Sequence, residues 1–100
     1  MKKITQEQVD QSLAEVMHPE IDDSLVGLGM IEDVVFHENQ VSLTLKLPYS
    51  GVPIKEYLMN SIKKALADLD RAIEVVIDVG EMNPQERAQF MKKAEEGWRL

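Results

Sequence analysis

Three groups of side chains have types and spacing that could do chemistry. The first is His18, Glu20, Asp22 and Asp23, with His37 as a more distant addition. Carboxylate oxygens and an imidazole can hold a divalent cation when a loop folds them inward. Their spacing matches neither an EF-hand nor a His-Glu-x-x-His helix, so no metal ligand is assigned. Acids beside Pro19 also make ordinary turns, with Asp22 or Asp23 accepting from backbone N–H groups. The second group is Pro48-Tyr49-Ser50-Gly51-Val52-Pro53, expected to lead directly into a helix. Free N–H groups and the helix dipole favour a negative ligand atom at such a start. Gly51 permits close approach, although the same residues also suit a plain strand-to-helix turn. The third is Phe90, Ala94 and Trp98, four residues apart, with Met91 beside them.

No catalytic set emerges. Ser50 is followed by glycine, but Gly-x-Ser-x-Gly is absent and neither histidine is near it in sequence. P-loop and Gly-x-Gly-x-x-Gly fingerprints are also missing. The chain has no cysteine, which excludes disulfides, thiolate catalysis and cysteine-ligated zinc or iron–sulfur sites within it. A non-enzymatic role is expected.

The elements that must position these groups follow from periodicity. Thr5 and Gln8 form a capping box ahead of Val9, Leu13, Val16 and Met17 at helical spacing, and Pro19 should end that helix near His18. Residues 18–29 read as a loop. Val41, Leu43, Leu45 and Leu47 alternate with Ser42, Thr44 and Lys46, the period of a strand. Met30 to His37 makes the other arm of a hairpin turning at Glu38-Asn39. Phe36 then faces Val41 and Val34 faces Leu43, which puts Ile31 and Val35 on the opposite face with Ser42 and Thr44.

Pro53 suits a first helical turn, and Ile54, Tyr57, Leu58, Ile62, Ala65, Leu66 and Leu69 continue that helix. Ile73, Val75, Ile77 and Val79 make a third strand, ended by Gly80. Asn83-Pro84 starts the last helix, with Glu86 closing its cap. Its Phe90 stripe is expected on the sheet's second face; otherwise it presents aromatics to a partner or a second copy. The fold class is α+β, a small open-faced sandwich of order α-β-β-α-β-α with a three-stranded mixed sheet.

The 100 residues suit one domain over 1–100, with a core at about 5–80 and a C-terminal helix at about 83–97. No apolar run approaches the ~20 residues of a membrane span. Met1 to Thr5 lacks the apolar stretch of a signal peptide, so a cytoplasmic location without membrane contact is expected. Residues 1–45 carry two lysines and nine acids, whereas residues 46–100 carry nine basic and nine acidic side chains. The net charge of −7 therefore belongs to the first half. It argues against nucleic acid as a partner. A solvated acidic surface accounts for it, as does an acidic face that steers a basic partner.

Three segments in order carry a family resemblance: His18-Pro19-Glu20-Ile21, Leu25-Val26-Gly27-Leu28-Gly29-Met30-Ile31 and Pro48-Tyr49-Ser50-Gly51-Val52-Pro53-Ile54. Over about residues 7–80 the chain resembles the SufT/PaaD-type iron–sulfur assembly domain, also found at the N-terminus of Mrp/ApbC-type cluster-carrier ATPases. That family pattern is Asp-Pro-Glu, a Leu-Gly before the first strand, and a Thr-x-Gly-Cys-Pro-like loop before the long helix. Here His18 replaces the aspartate and Val52 the cysteine.

The resemblance implies an accessory or adaptor protein in iron–sulfur cluster assembly or iron–sulfur protein maturation, acting through protein–protein contacts. Its partners would be assembly proteins or client apo-proteins, among them a P-loop cluster-carrier ATPase. With valine at the cysteine position, no cofactor is expected on this chain alone, and a cluster only through a partner. Glu20, Ser50, Gly51, Val52 and Pro53 are the expected functional loop surface, and Phe90 and Trp98 the expected partner or homodimer contact. A small-molecule or metal-binding regulatory domain built on the 48–53 and 18–23 loops is the alternative.

Overall fold

The computed structural model describes residues 4–49 and 51–97, so Ser50 and Trp98 lie outside the described residues. Helix α1 spans Gln6–Ala14 and starts as its sequence requires. Thr5 Oγ1 accepts from the Gln8 N–H at 3.2 Å, and Gln8 Oε1 accepts from the Thr5 N–H at 3.0 Å. The helix ends at Ala14, earlier than its apolar spacing suggests. Residues 16–18 are drawn instead toward residues 23–25: Val16 C=O accepts from the Leu25 N–H at 2.9 Å, and Met17 bridges Ser24.

Strands β1 (Ile31–His37) and β2 (Gln40–Leu47) form the antiparallel hairpin. Glu38 and Asn39 both have positive φ, 48° and 64°, as a two-residue turn matched to strand twist requires. Phe36 faces Val41 and Val35 faces Ser42, as the alternation predicts. Ile31 departs from expectation. The register shifts between Glu32 and Val35, and Asp33 has φ 57°. That bulge moves Ile31 opposite Leu45, where it is buried in the core.

Helix α2 (Lys55–Leu69) leads to β3 (Glu74–Glu81), which pairs parallel to β2, giving the order β1-β2-β3. Pro53 precedes the helix rather than opening it. The strand starts after Ile73 and runs through Gly80, which pairs with Lys46. Helices α1 and α2 pack on each other; α1 touches β1 and α2 touches β3. Val9, Leu13, Leu58, Ile62 and Leu66 meet Val41, Leu43 and Leu45 in one buried cluster. Burial of each large aliphatic contributes about 1.5–3 kcal/mol.

The two sheet edges differ. Along β1, Gln6 Oε1 accepts from the Phe36 N–H at 2.8 Å and Gln6 Nε2 donates to Val34 C=O at 3.3 Å. Strand β3 is the other edge, and its Glu74, Asp78 and Glu81 are exposed.

Helix α3 (Pro84–Gly97) starts with a second capping box. Glu86 N–H donates to Asn83 Oδ1 at 2.8 Å, and Asn83 N–H donates to Glu86 Oε1 at 2.9 Å. Its buried stripe does not cover the sheet's second face, where Val35 and Val76 stay 53% and 43% exposed. Phe90 and Ala94 turn instead to the 18–30 and 48–54 loops. Among the described residues, no helix is long and apolar enough to cross a membrane.

Candidate functional site

The 18–21 turn is built around a buried imidazole. Pro19 disfavours helical geometry at His18, and His18 Nδ1 accepts from the N–H groups of Glu20 (3.0 Å) and Ile21 (3.2 Å). A ring nitrogen that accepts carries no proton, so His18 does here what a carboxylate oxygen does in an Asx turn. This gives a physical account of histidine at the position where the resemblance places an aspartate. Glu20 is left exposed at the tip.

The second loop contains Gly51 at φ 78°, a backbone region that side chains with a Cβ adopt rarely. Val52 follows, half-buried, and its C=O accepts from the Lys55 N–H at 3.2 Å. Ile54 stands at the start of α2 without a side-chain cap.

Helix α3 is fastened over both loops by its polar groups. Arg87 Nε donates to Pro48 C=O at 2.7 Å, and Lys93 Nζ donates to Gly27 C=O at 2.7 Å. At the far end the Asp22 N–H donates to Gly97 C=O at 2.6 Å. A Cβ at Gly97 would sit 3.3 Å from the Asp22 backbone, so glycine permits that approach. At the near end Lys46 Nζ lies 3.3 Å from Glu32 and 3.4 Å from Glu86. Hydrogen bonds to Glu32 first, and then to Glu86, hold the Lys46 pKa above the ordinary lysine value. The Asn83 N–H, followed by Lys46, holds Glu86 below the ordinary carboxylate value.

Between α3 and the two loops lies a cavity of about 520 Å³, open on one side. The first loop contributes His18, Glu20 and Ile21, and Met30 stands beside them. The second contributes Pro48, Tyr49, Val52, Pro53 and Ile54, and α3 adds Phe90, Met91, Ala94 and Glu95. Four expected site residues, Glu20, Val52, Pro53 and Phe90, thus meet around one space. Gly51 shapes the loop without lining it. Phe90 is only 7% exposed, so any contact it makes with a partner runs through the cavity. Glu95 is a lining residue that the sequence reading passes over. Its spacing of four from Met91 is the signal that could have found it.

The donor set does not suit a metal or a cluster. Among the described residues no three His, Cys, Asp or Glu side chains gather to hold an ion. His18 Nδ1 serves the turn, Asp23 Oδ1 accepts from the Ser24 N–H at 2.8 Å, and His37 lies at the other end of β1. No thiolate is available anywhere in the chain.

The family described as iron–sulfur cluster assembly protein matches residues 6–79. The chain is 33% identical over 85 residues to an iron–sulfur cluster carrier protein of Synechocystis. That match covers 85% of this chain and 24% of the relative, so the chain spans about a quarter of the carrier's length. It is 29% identical over 80 residues to the Fe–S protein maturation auxiliary factor YitW of Bacillus subtilis, covering 79% and 78% of the two chains. A crystal structure of a domain of unknown function, DUF59, from Bacillus anthracis superposes with a TM-score of 0.64 at 26% identity, over 82% of this chain and 81% of that one. Motifs, element order and these likenesses agree: the chain belongs to the iron–sulfur cluster assembly protein family.

Proposed function

We propose that this protein is an accessory or adaptor factor in iron–sulfur cluster assembly, working through protein–protein contact and ligating no cluster by itself. Family membership and the names of its relatives support the pathway. One observation carries the mechanism: the half-buried side chain on the second loop, at the position where the family resemblance places a thiol, is Val52. Valine neither ligates iron nor attacks a disulfide. The loop keeps its glycine turn and its place beside Glu20 and Phe90 without a reactive atom. Assembly proteins or client apo-proteins, including a P-loop cluster-carrier ATPase, are the partners on this reading.

Anaerobic reconstitution with iron and sulfide, followed by gel filtration, tests it. The wild-type chain is expected to elute without iron or sulfide, and co-elution at fixed stoichiometry overturns the reading. The Val52→Cys variant is expected to gain a thiol that reacts with a disulfide reagent. The cavity also favours a second reading, a small-molecule regulatory domain, since about 520 Å³ falls within the size of ligand pockets. A metabolite that raises the melting temperature, with the rise lost in Gly51→Val, would select it.

A further inference from the structure

The cavity beneath α3 joins an apolar interior to an unbalanced acidic rim. Ile21, Met30, Ile54, Phe90 and Ala94 supply the interior, whereas Glu20 and Glu95 are its carboxylates. Among the described residues, no lysine or arginine lines the cavity. Three nearby cations are engaged elsewhere: Lys46 with Glu32 and Glu86, Arg87 with the Pro48 carbonyl, and Lys93 with the Gly27 carbonyl. The apolar surface also continues past the mouth. Tyr49 and Met91 line the cavity yet remain 56% and 51% exposed.

We propose that this cavity is a docking site for a basic segment of a partner protein, which inserts one large apolar side chain between Ile21 and Phe90 and sets flanking Lys or Arg beside Glu20 and Glu95. The proposal rests on the adaptor reading above and specifies the chemistry of the partner. The occupant is argued from charge. An apolar side chain gains by leaving water, and two carboxylates with no Lys or Arg among the described lining residues attract cations and repel an acidic segment. Exposed Tyr49 and Met91 extend the contact beyond the inserted side chain, as a continuing polypeptide would use them and an enclosed small molecule would not. Buried apolar anchors ringed by weaker polar contacts are the common anatomy of such sites. The net charge of −7 acts in the same direction at longer range.

The test is fluorescence polarisation of the full chain with labelled heptapeptides. Each carries a central Phe, Trp, Leu or Met flanked by lysines; matched controls carry a central Ser or have every Lys replaced by Glu. At least one basic apolar peptide is expected to bind, about tenfold or more tighter than its Ser control. Glu20→Gln with Glu95→Gln is expected to weaken binding about fivefold. Met91→Lys, at an exposed position that leaves folding intact, should do the same by placing a cation at the mouth. In 1 M salt, where the screening length is about 3 Å, the difference between wild type and these variants should shrink.

No binding by any basic apolar peptide overturns the proposal. So does equal binding of the Glu-flanked peptides, or a Met91→Lys variant that binds as wild type does. Tighter binding of an apolar anion such as anilinonaphthalene sulfonate would assign the cavity to a small molecule and overturn it as well. Binding of the peptides without capture of any iron–sulfur assembly factor keeps this site and rejects the pathway reading. Capture that survives both charge changes keeps the pathway and rejects this site.

Discussion

Two apolar regions of this molecule, the sheet under α1 and α2 and the loops under α3, are built from similar side chains and packed differently. Under α1 and α2, Val9, Leu13, Leu58, Ile62 and Leu66 are at most 1% exposed and interlock with the regular rows of β2. Under α3 the helix meets two loops, whose backbones run in no regular row, and a cavity of about 520 Å³ remains. Close packing follows when two periodic surfaces meet. A periodic surface laid on an irregular one leaves space, and polar tethers from Arg87, Lys93 and Gly97 then fix the helix. The first region accounts for folding, and the second leaves room for a ligand or partner.

Substitutions that separate filled from unfilled space test this contrast most severely. Ile62→Ala is expected to lose about 2–5 kcal/mol in urea denaturation, because close-packed surroundings collapse only partly around the void. A loss well under that range would mean the region is looser than its burial indicates. Adding volume gives a paired test of smaller size. Val41→Phe should cost about 1–3 kcal/mol by overpacking, whereas Ala94→Leu, which grows into the cavity, should change stability by less than about 1 kcal/mol. Equal penalties at the two sites would erase the distinction.

Next in size is the cap of α3. Asn83→Ala removes the cap of α3 and should cost about 1 kcal/mol, read as a melting temperature lower by about 4–8 °C in a chain of this length. The smallest effect is a pH dependence at Glu86, held by the Asn83 N–H and then by Lys46, and at Lys46, held by Glu32 and then by Glu86. Glu86 titrates below the ordinary carboxylate value when folded, so its contribution is present above the unfolded value and lost as pH falls through the lowered one. Lys46 titrates above its ordinary value, so its share is present below the unfolded lysine value and lost as pH rises through the raised one. Glu86→Gln should flatten the acid limb of the melting-temperature profile, and an unchanged acid limb would show that the Glu86 carboxylate, with its Asn83 and Lys46 partners, contributes nothing measurable.

Much of this arrangement was legible in the sequence because period and cap chemistry are local. The alternation from Val41 to Leu47 specified the inward face of β2, and both capping boxes were written in residues three apart, Thr5 with Gln8 and Asn83 with Glu86. Alternation alone puts Ile31 on the outer face, because a single non-glycine residue, Asp33, takes a positive φ that its side chain does not announce. The address of α3 is hidden for a different reason. A stripe such as Phe90–Ala94 states that a helix has a buried face and nothing about which surface will meet it. At the site, Glu20, Val52 and Pro53 were recoverable from their loops, but Glu95 belongs there only because α3 crosses those loops. The turn-holding role of His18 depends on the direction of its ring, which sequence does not encode.

The Gln6 amide on the β1 border has a consequence for self-association. With the Phe36 N–H and the Val34 carbonyl already occupied, a foreign strand finds that flank poorly receptive, and ribbon growth is channelled toward Glu74–Glu81. There an identical molecule would bring its own Glu74, Asp78 and Glu81 against the same three carboxylates. The molecule thus discourages runaway stacking with one amide on one side and mutual repulsion on the other.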